Sequence, residues 1–148
     1  MPPILSTLTA LAIALSIAAP VAAQQQRVAA GELRLAGYAA SCGPIETSVM
    51  HFDDIAASAG SLIYLNPRLF AMPRAQQMFW YMHECGHQMF GPSERAADCW
   101  SVRQGRQQGW LTFREFERLE SIIGSLPGDA AHASGPVRAA FMRQCYAG

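Results

Sequence analysis

The chain contains no lysine, so its eleven basic side chains are all arginines, and these are scattered from Arg27 to Arg143. Eleven acidic side chains balance them, and the formal net charge is zero at pH 7 with histidine neutral. Binding to nucleic acid or to an anionic membrane surface usually requires a cluster of excess basic residues. The composition therefore predicts that nucleic acid is not a partner.

The first 26 residues carry no charged side chain, and most of them are Leu, Ile or Ala. Pro20 ends the apolar run, and small residues up to Ala23 resemble a signal-peptidase site. We therefore predict a secretory signal peptide at 1–23 and a single domain at 24–148, located in the periplasm or outside the cell. An uncleaved membrane anchor is the alternative, because the apolar run is nearly long enough to span a bilayer.

No apolar stretch after Ala23 is long enough to span a bilayer, so the mature chain is not expected to insert stably into a membrane. An exported domain of this size benefits from covalent cross-links. An even number of cysteines in such a protein predicts disulfides, here two. The pairing we favour is Cys99 with Cys145 and Cys42 with Cys85, although four cysteines allow three connectivities.

The sequence shows no internal repeat and few strand-forming segments. Thr47–Phe52 and Ser61–Leu65 contain β-branched, aromatic and aliphatic residues, and we predict two short strands with Gly60 in the turn between them. The remainder is mainly helical in pattern. We therefore expect a mainly α fold with a small β-sheet (α+β), in which a two- or three-stranded sheet precedes a pair of helices.

Capping residues mark four helices in the second half of the chain. The predicted helices are Arg74–Phe90, a second from its cap at Ser93 to Gln108, a third from a capping box at Thr112 to Ser125, and a fourth that begins at Gly135 and carries Cys145. Apolar residues recur at helical spacing on the first and third helices. We assign to the core Met78, Phe79, Met82, Phe90, Phe113, Phe116, Leu119 and Ile122.

The segment His83–His87 reads H-E-C-G-H within the first predicted helix. Residues four apart lie on one face of a helix, about 5–6 Å apart, so His83 and His87 can bind one metal ion. Glu84 lies about 100° around the helix from His83 and can act as a general base beside the metal. The alternative is a pair of helical histidines that bind no metal.

The expected geometry of the helix pair nominates a third ligand. If the two helices run antiparallel, His87 at the end of the first is level with Glu94 at the start of the second. Glu94 can then complete a His-His-Glu site that leaves the fourth position to water. One turn further along, Asp98 can accept a hydrogen bond from His83 and orient its ring. The alternative is that Glu94 interacts only with the helix dipole and that Asp98 is solvated.

These residues resemble a known family. H-E-C-G-H at 83–87 followed by E-R-A-A-D at 94–98 resembles the gluzincin metallopeptidases, and it is most similar to the branch of CAAX prenyl proteases and small soluble minigluzincins. The resemblance covers Pro73 to Arg103. It implies one zinc ion bound by His83, His87 and Glu94, with Glu84 as base and Asp98 supporting a histidine. It also implies that a preceding strand, Ser61–Leu65, binds extended substrate along its edge.

A peptidase of this type also needs a donor for the oxygen that becomes negative during attack on the carbonyl. The candidates are His132, Arg138, Tyr64 and Tyr146. His132 lies in a loop rich in Gly and Ala before the last helix, where it can reach over a cleft, and we take it as the catalytic candidate. A solvated loop histidine is the alternative.

The sequence therefore predicts an exported zinc metallopeptidase that hydrolyses a peptide or protein substrate with Glu84 as general base. A zinc-binding envelope domain without activity, with a structural or assembly role, is the alternative. Intact Glu84 argues against it, because a structural metal site does not use a base. Hydrolysis of a non-peptide amide remains open.

Overall fold

The computed structural model describes residues 25–130 and 132–148, so the predicted signal peptide at 1–23 lies outside the described residues. The described chain is mainly helical with a small mixed sheet, and this confirms the predicted fold class. In these two ranges, no helix combines the length and the apolar character needed to cross a membrane.

Short strands make up the N-terminal part of the described chain. They are β1 (Gln26–Val28), β2 (Arg34–Leu35), β3 (Tyr38–Ala39), β4 (Glu46–Val49), β5 (Ala56–Ala59) and β6 (Leu62–Leu65). A four-stranded sheet has the order β1-β4-β6-β5, in which β4 and β6 are parallel and the other neighbours are antiparallel. β2 and β3 form a separate antiparallel pair.

The sheet is larger than predicted. Gly60 does not join the two predicted strands directly: β5 lies between them in sequence, and Gly60, with φ of +59°, forms the turn from β5 to β6. β5 has the sequence Ala-Ala-Ser-Ala, which has weak strand propensity, and β1 has only three residues. For these reasons neither strand was expected.

Helices follow the sheet, with bounds close to those predicted. They are α1 (Arg74–Phe90), α2 (Glu94–Gln108), α3 (Phe113–Gly124) and α4 (Gly135–Ala147), preceded by a 3-10 helix at Pro67–Ala71. Ser93 caps α2 by accepting a hydrogen bond from the backbone of Ala96, and Gly109 ends that helix in the left-handed conformation. Thr112 and Glu115 form the predicted capping box of α3. Local capping chemistry therefore determines these boundaries.

The core lies between the sheet and the helices. The predicted core residues that are buried are Met78, Phe79, Met82, Phe116 and Leu119. The prediction was wrong for three others, which are exposed: Phe90, Phe113 and Ile122. α3 buries Ile123 rather than Ile122, because its apolar stripe continues four residues after Leu119 and not three. Phe90 is the last residue of α1 and packs at the surface against Trp100.

The predicted disulfides are both present. Cys42 pairs with Cys85 and attaches the N-terminal segment to α1. Cys99 pairs with Cys145 and attaches α4 to α2. No free cysteine remains among the described residues. Such pairing fits a protein that folds in an oxidising, extracellular compartment.

α1 and α2 pack very closely, and a glycine permits it. A Cβ atom at Gly86 would lie 2.7 Å from the backbone Cα of Ala97, closer than real Cβ atoms approach. Gly91 adopts a non-helical conformation and ends α1, after which the chain reverses into α2. This close contact brings the helix faces with His83 and Glu94 together.

Candidate metal centre

Two helices supply three side chains that converge on one point. The Nε2 atoms of His83 and His87 lie 3.1 Å apart. Glu94 places Oε2 3.1 Å from Nε2 of His83 and Oε1 3.2 Å from Nε2 of His87. A tetrahedral ion with bonds of about 2.0–2.1 Å holds its ligand atoms about 3.3 Å apart. The three residues could therefore hold one metal ion.

The proton positions on the two histidines favour this interpretation. His87 Nδ1 lies 2.9 Å from the carbonyl oxygen of Gly91, which can only accept, so Nδ1 carries the proton. His83 Nδ1 lies 2.9 Å from Oδ1 of Asp98 and faces an acceptor in the same way. Both rings therefore direct Nε2 at Glu94, and at such short distances the two Nε2 lone pairs repel one another unless a metal ion or a proton lies between them.

The charges around the site stabilise a cation. Although burial by itself lowers the pKa of His83, the carboxylates of Asp98 and Glu94 raise that pKa to about 9. Burial opposes ionisation of Glu94 and Asp98, but hydrogen bonding to His83 leaves the pKa of both carboxyl groups lowered. Without metal, a proton on His83 supplies the positive charge. A bound metal ion would replace that proton, so metal binding would release it.

A buried ion pair between Asp98 and Arg138 contacts Nδ1 of His83. Asp98, on α2, is 1% exposed and accepts two hydrogen bonds from Arg138 on α4: Nε donates to Oδ2 over 2.9 Å and Nη2 to Oδ1 over 2.7 Å. Helix-pair geometry predicted that Asp98 faces His83, and it does. Arg138 was a candidate oxyanion donor, but its guanidinium is committed to Asp98. The sequence did not reveal this pair because forty residues separate its members.

Glu84 lines one cavity together with His87 and Glu94 and a second cavity together with His83. Its residue is 7% exposed, yet the carboxylate makes no hydrogen bond to any described residue. Burial raises the pKa of Glu84, while the charges of His83 and His87 act in the opposite direction. A buried carboxylate without a donor is free to bind a water molecule or a ligand.

Two cavities meet at Glu84. The outer cavity, about 730 Å³, runs along β5 and reaches His87 and Glu94. The inner cavity, about 190 Å³, extends from Glu84 toward the loop before α4. Both are lined by Glu84 and by Asp54, Ala56 and His132. The candidate site is therefore accessible from a groove and adjoins a smaller recess.

His132 reaches the site from the loop before α4. Its Nε2 atom lies 3.3 Å from Oε2 of Glu94, and its Nδ1 atom lies 2.9 Å from Oδ1 of Asp129. The backbone N–H of His132 also donates to Asp129, which holds the ring in this position. His132 does not belong to the group of mutually close ligand atoms. It adjoins the metal centre as a neighbour of Glu94.

The two tyrosine candidates take no part in the site. Tyr146 donates a hydrogen bond to the carbonyl of Leu111 and stacks on Phe116. Tyr64 lies in β6 and lines neither cavity. Of the four candidate oxyanion donors, His132 is the one that lines both cavities.

The strand expected to bind substrate has no free edge. β6 pairs with β4 on one side and β5 on the other, so the prediction for Ser61–Leu65 was wrong. Within the described part of the chain, β5 pairs with β6 alone. It also contacts α1 and lines the outer cavity, so it is the edge strand at this site.

Comparisons with protein-family models, curated proteins and solved structures found no match to this chain.

Proposed function

We propose that the protein is an exported zinc metallopeptidase in which His83, His87 and Glu94 hold one zinc ion and Glu84 is the general base. The observation that supports this most is that the three ligand atoms converge at an open groove. Glu84 lines the same groove, and its carboxylate accepts no hydrogen bond from the described residues. Two imidazoles and one carboxylate are a ligand set that suits catalytic zinc, with a position left for water.

The proposed reaction is hydrolysis of a peptide bond. Zinc, when bound, would supply a Lewis acid that polarises the substrate carbonyl and makes a water molecule more acidic. Glu84 takes one proton from the attacking water as the new C–O bond forms. It then delivers that proton to the leaving nitrogen as the C–N bond breaks. The raised pKa of Glu84, caused mainly by burial, suits a group that must both accept and release a proton.

Two further parts of the site would bind and orient the substrate. The free edge of β5 can hydrogen-bond an extended peptide backbone along the groove. The small side chains of β5 let that backbone approach closely. His132 directs Nδ1–H at Asp129, so its Nε2 atom can donate a hydrogen bond to the carbonyl oxygen that becomes negative only when the ring is doubly protonated.

We further propose that the protein is related to the gluzincins and is exported, both of which are consistent with this function. The H-E-C-G-H and E-R-A-A-D segments support a relationship to the gluzincins. The paired cysteines support export to the periplasm or the medium, where the substrate would be a peptide or protein.

The test is to measure zinc content and peptide hydrolysis in the mature chain, residues 24–148. Wild type should contain one zinc per chain and cleave a quenched peptide library. Glu94→Ala should lose zinc. Glu84→Gln should retain zinc but lose hydrolysis by at least about a hundredfold, since a general base contributes 10²–10⁴-fold. Glu117→Ala, an exposed carboxylate on α3, serves as the control and should match wild type.

Three results would contradict the proposal. A protein without stoichiometric zinc would exclude the metal centre. A protein with one zinc but no hydrolysis in wild type would favour the silent zinc-binding domain with a structural or assembly role. Zinc retained in Glu94→Ala would show that Glu94 is not a ligand.

A further inference from the structure

The inner cavity combines apolar walls with carboxylates. Its apolar lining includes the indole of Trp80 and the side chains of Leu126 and Pro127. Asp54 and Asp129 line the same recess. Because it adjoins Glu84 and opens to the groove, a side chain of a peptide lying on β5 could enter it.

The charged side chains that line the inner cavity are mostly acidic. Arg138 is its one arginine among the described residues, and both carboxylate oxygens of Asp98 engage that guanidinium. Asp129 interacts with His132. Apart from Glu84, the proposed general base, the carboxylate of Asp54 is then the negative charge that remains to meet a ligand.

Among the described residues, no cationic side chain pairs with the Asp54 carboxylate. The one hydrogen bond that it accepts from this part of the chain comes from the adjacent backbone N–H of Ile55, over 2.7 Å. Arg68 is nearby, but it donates to the backbone carbonyls of Asp53 and Asp54 rather than to a carboxylate. A cationic group in the recess would therefore gain a charge-assisted hydrogen bond.

The buried carboxylate of Glu84 is a second indication that the inner cavity binds a ligand. It is more than nine-tenths buried, accepts no hydrogen bond from the described residues, and faces both cavities. Asp54 lines the same two cavities as Glu84, so the two carboxylates border the same space.

We infer that the inner cavity binds a lysine or arginine side chain of the peptide substrate, with its aliphatic stem against Trp80 and Leu126 and its cation at Asp54. Long basic side chains combine an apolar stem with a charged end, and this cavity presents both surfaces. The inference rests on the proposed function and adds a substrate class to it.

The test measures binding rather than turnover. Zinc-loaded Glu84→Gln protein, which should not cleave, is titrated by calorimetry with blocked pentapeptides that carry lysine, norleucine or glutamate between pairs of alanines. Norleucine has a stem similar to that of lysine without the charge. We expect the lysine peptide to bind about tenfold more tightly than the norleucine peptide, close to the lower limit for a charge-assisted hydrogen bond because Asp54 is exposed. Adding Asp54→Asn should remove that difference.

Asp53→Asn is the matched control, because Asp53 is the adjacent carboxylate and lines neither cavity, so the lysine preference should remain. Equal or tighter binding of norleucine, a preference that survives Asp54→Asn, or no binding of any peptide would overturn the inference. Tightest binding of an unblocked norleucine peptide would also overturn it, since the site would then hold an N-terminal ammonium group. Wild-type hydrolysis, measured separately, shows whether the proposed function fails as well.

Discussion

Asp98 illustrates how a single buried charge is accommodated in this protein. Removing a carboxylate from water costs several kcal/mol, and only good pairing offsets that cost. Arg138 provides two short hydrogen bonds, and His83 lies against the Oδ1 atom. Burial alone would raise the pKa of Asp98, but the hydrogen bonds from His83 and Arg138 lower it, so the residue stays ionised. An ionised Asp98 can orient His83 for metal binding.

Replacing Asp98 should weaken metal binding without removing a ligand. In Asp98→Asn the amide retains the size of the side chain but loses the charge that holds His83. We expect zinc affinity, measured by competition with a chelator, to fall about 10–100-fold. Asp53→Asn should bind zinc like wild type. Unchanged affinity in Asp98→Asn would mean that the contact with His83 has no effect on the metal.

The Asp98 variant should also lower stability, so a second variant separates the two effects. Arg138→Gln removes the cation of the buried pair but leaves the carboxylate beside His83. Its free energy of unfolding should fall by about 3–5 kcal/mol, as is usual when one partner of a buried pair is removed. Its zinc affinity should fall less than that of Asp98→Asn. The opposite order would show that metal binding follows stability alone.

At the scale of elements, the contact between α1 and α2 determines where the ligand atoms meet. His83 and His87 come from α1, and Glu94 begins α2. Glu94 faces both histidines across this contact, so the separation of the helices sets its distances to His83 and His87. Gly86 against Ala97 permits that separation.

Gly86→Ala tests this contact. The added methyl group would lie against the backbone of Ala97 and force the helices apart. Overpacking of this kind costs about 1–3 kcal/mol, more than the gain of about 1 kcal/mol from alanine's better helix propensity. We expect both the unfolding free energy, from urea titration, and the zinc affinity to decrease.

Gly124→Ala is the control for that variant. A Cβ atom at Gly124, in α3, would make only an ordinary contact of 3.7 Å with Ala139, so this variant should be at least as stable as wild type. If Gly86→Ala behaved in the same way, the close contact of the helices would not be needed for the site.

For the whole molecule, the disulfides join parts that a small domain could not hold firmly by its core alone. α4 carries Arg138, and the loop before it carries His132. The bond from Cys99 to Cys145 attaches this helix to α2, where Asp98 and Glu94 lie. It therefore connects the C-terminal part of the chain to the metal centre.

Removing this bond should lower stability substantially. The bond closes a loop of forty-six residues, and a loop of that size predicts a loss of about 2–4 kcal/mol when Cys99 and Cys145 are both replaced by serine. Urea unfolding of the double variant, with mass spectrometry to show that Cys42–Cys85 remains formed, measures the loss. Unchanged stability would show that helix packing alone holds α4 in place.

Local interactions made much of this protein predictable from sequence. Helix ends depend on caps within a few residues, and so the bounds of α2 and α3 follow from Ser93, Gly109 and Thr112. The spacing of His83 and His87 follows from the helix repeat. A short connection then brings Glu94 level with His87, so the ligand set required almost no tertiary information.

Tertiary structure alone decided the surroundings of that ligand set. Arg138 reaches Asp98 across forty residues, and neither side chain carries a local signal for the other. β5 is a strand because it pairs with β6 beside α1, although its own residues favour a strand only weakly. The inner cavity likewise exists only where a loop packs over Glu84. Sequence by itself determined the candidate ligands and the helices that carry them, because these depend on neighbours along the chain. The groove, the recess and the support of His83 depend on contacts between distant segments, and only folding produces those contacts.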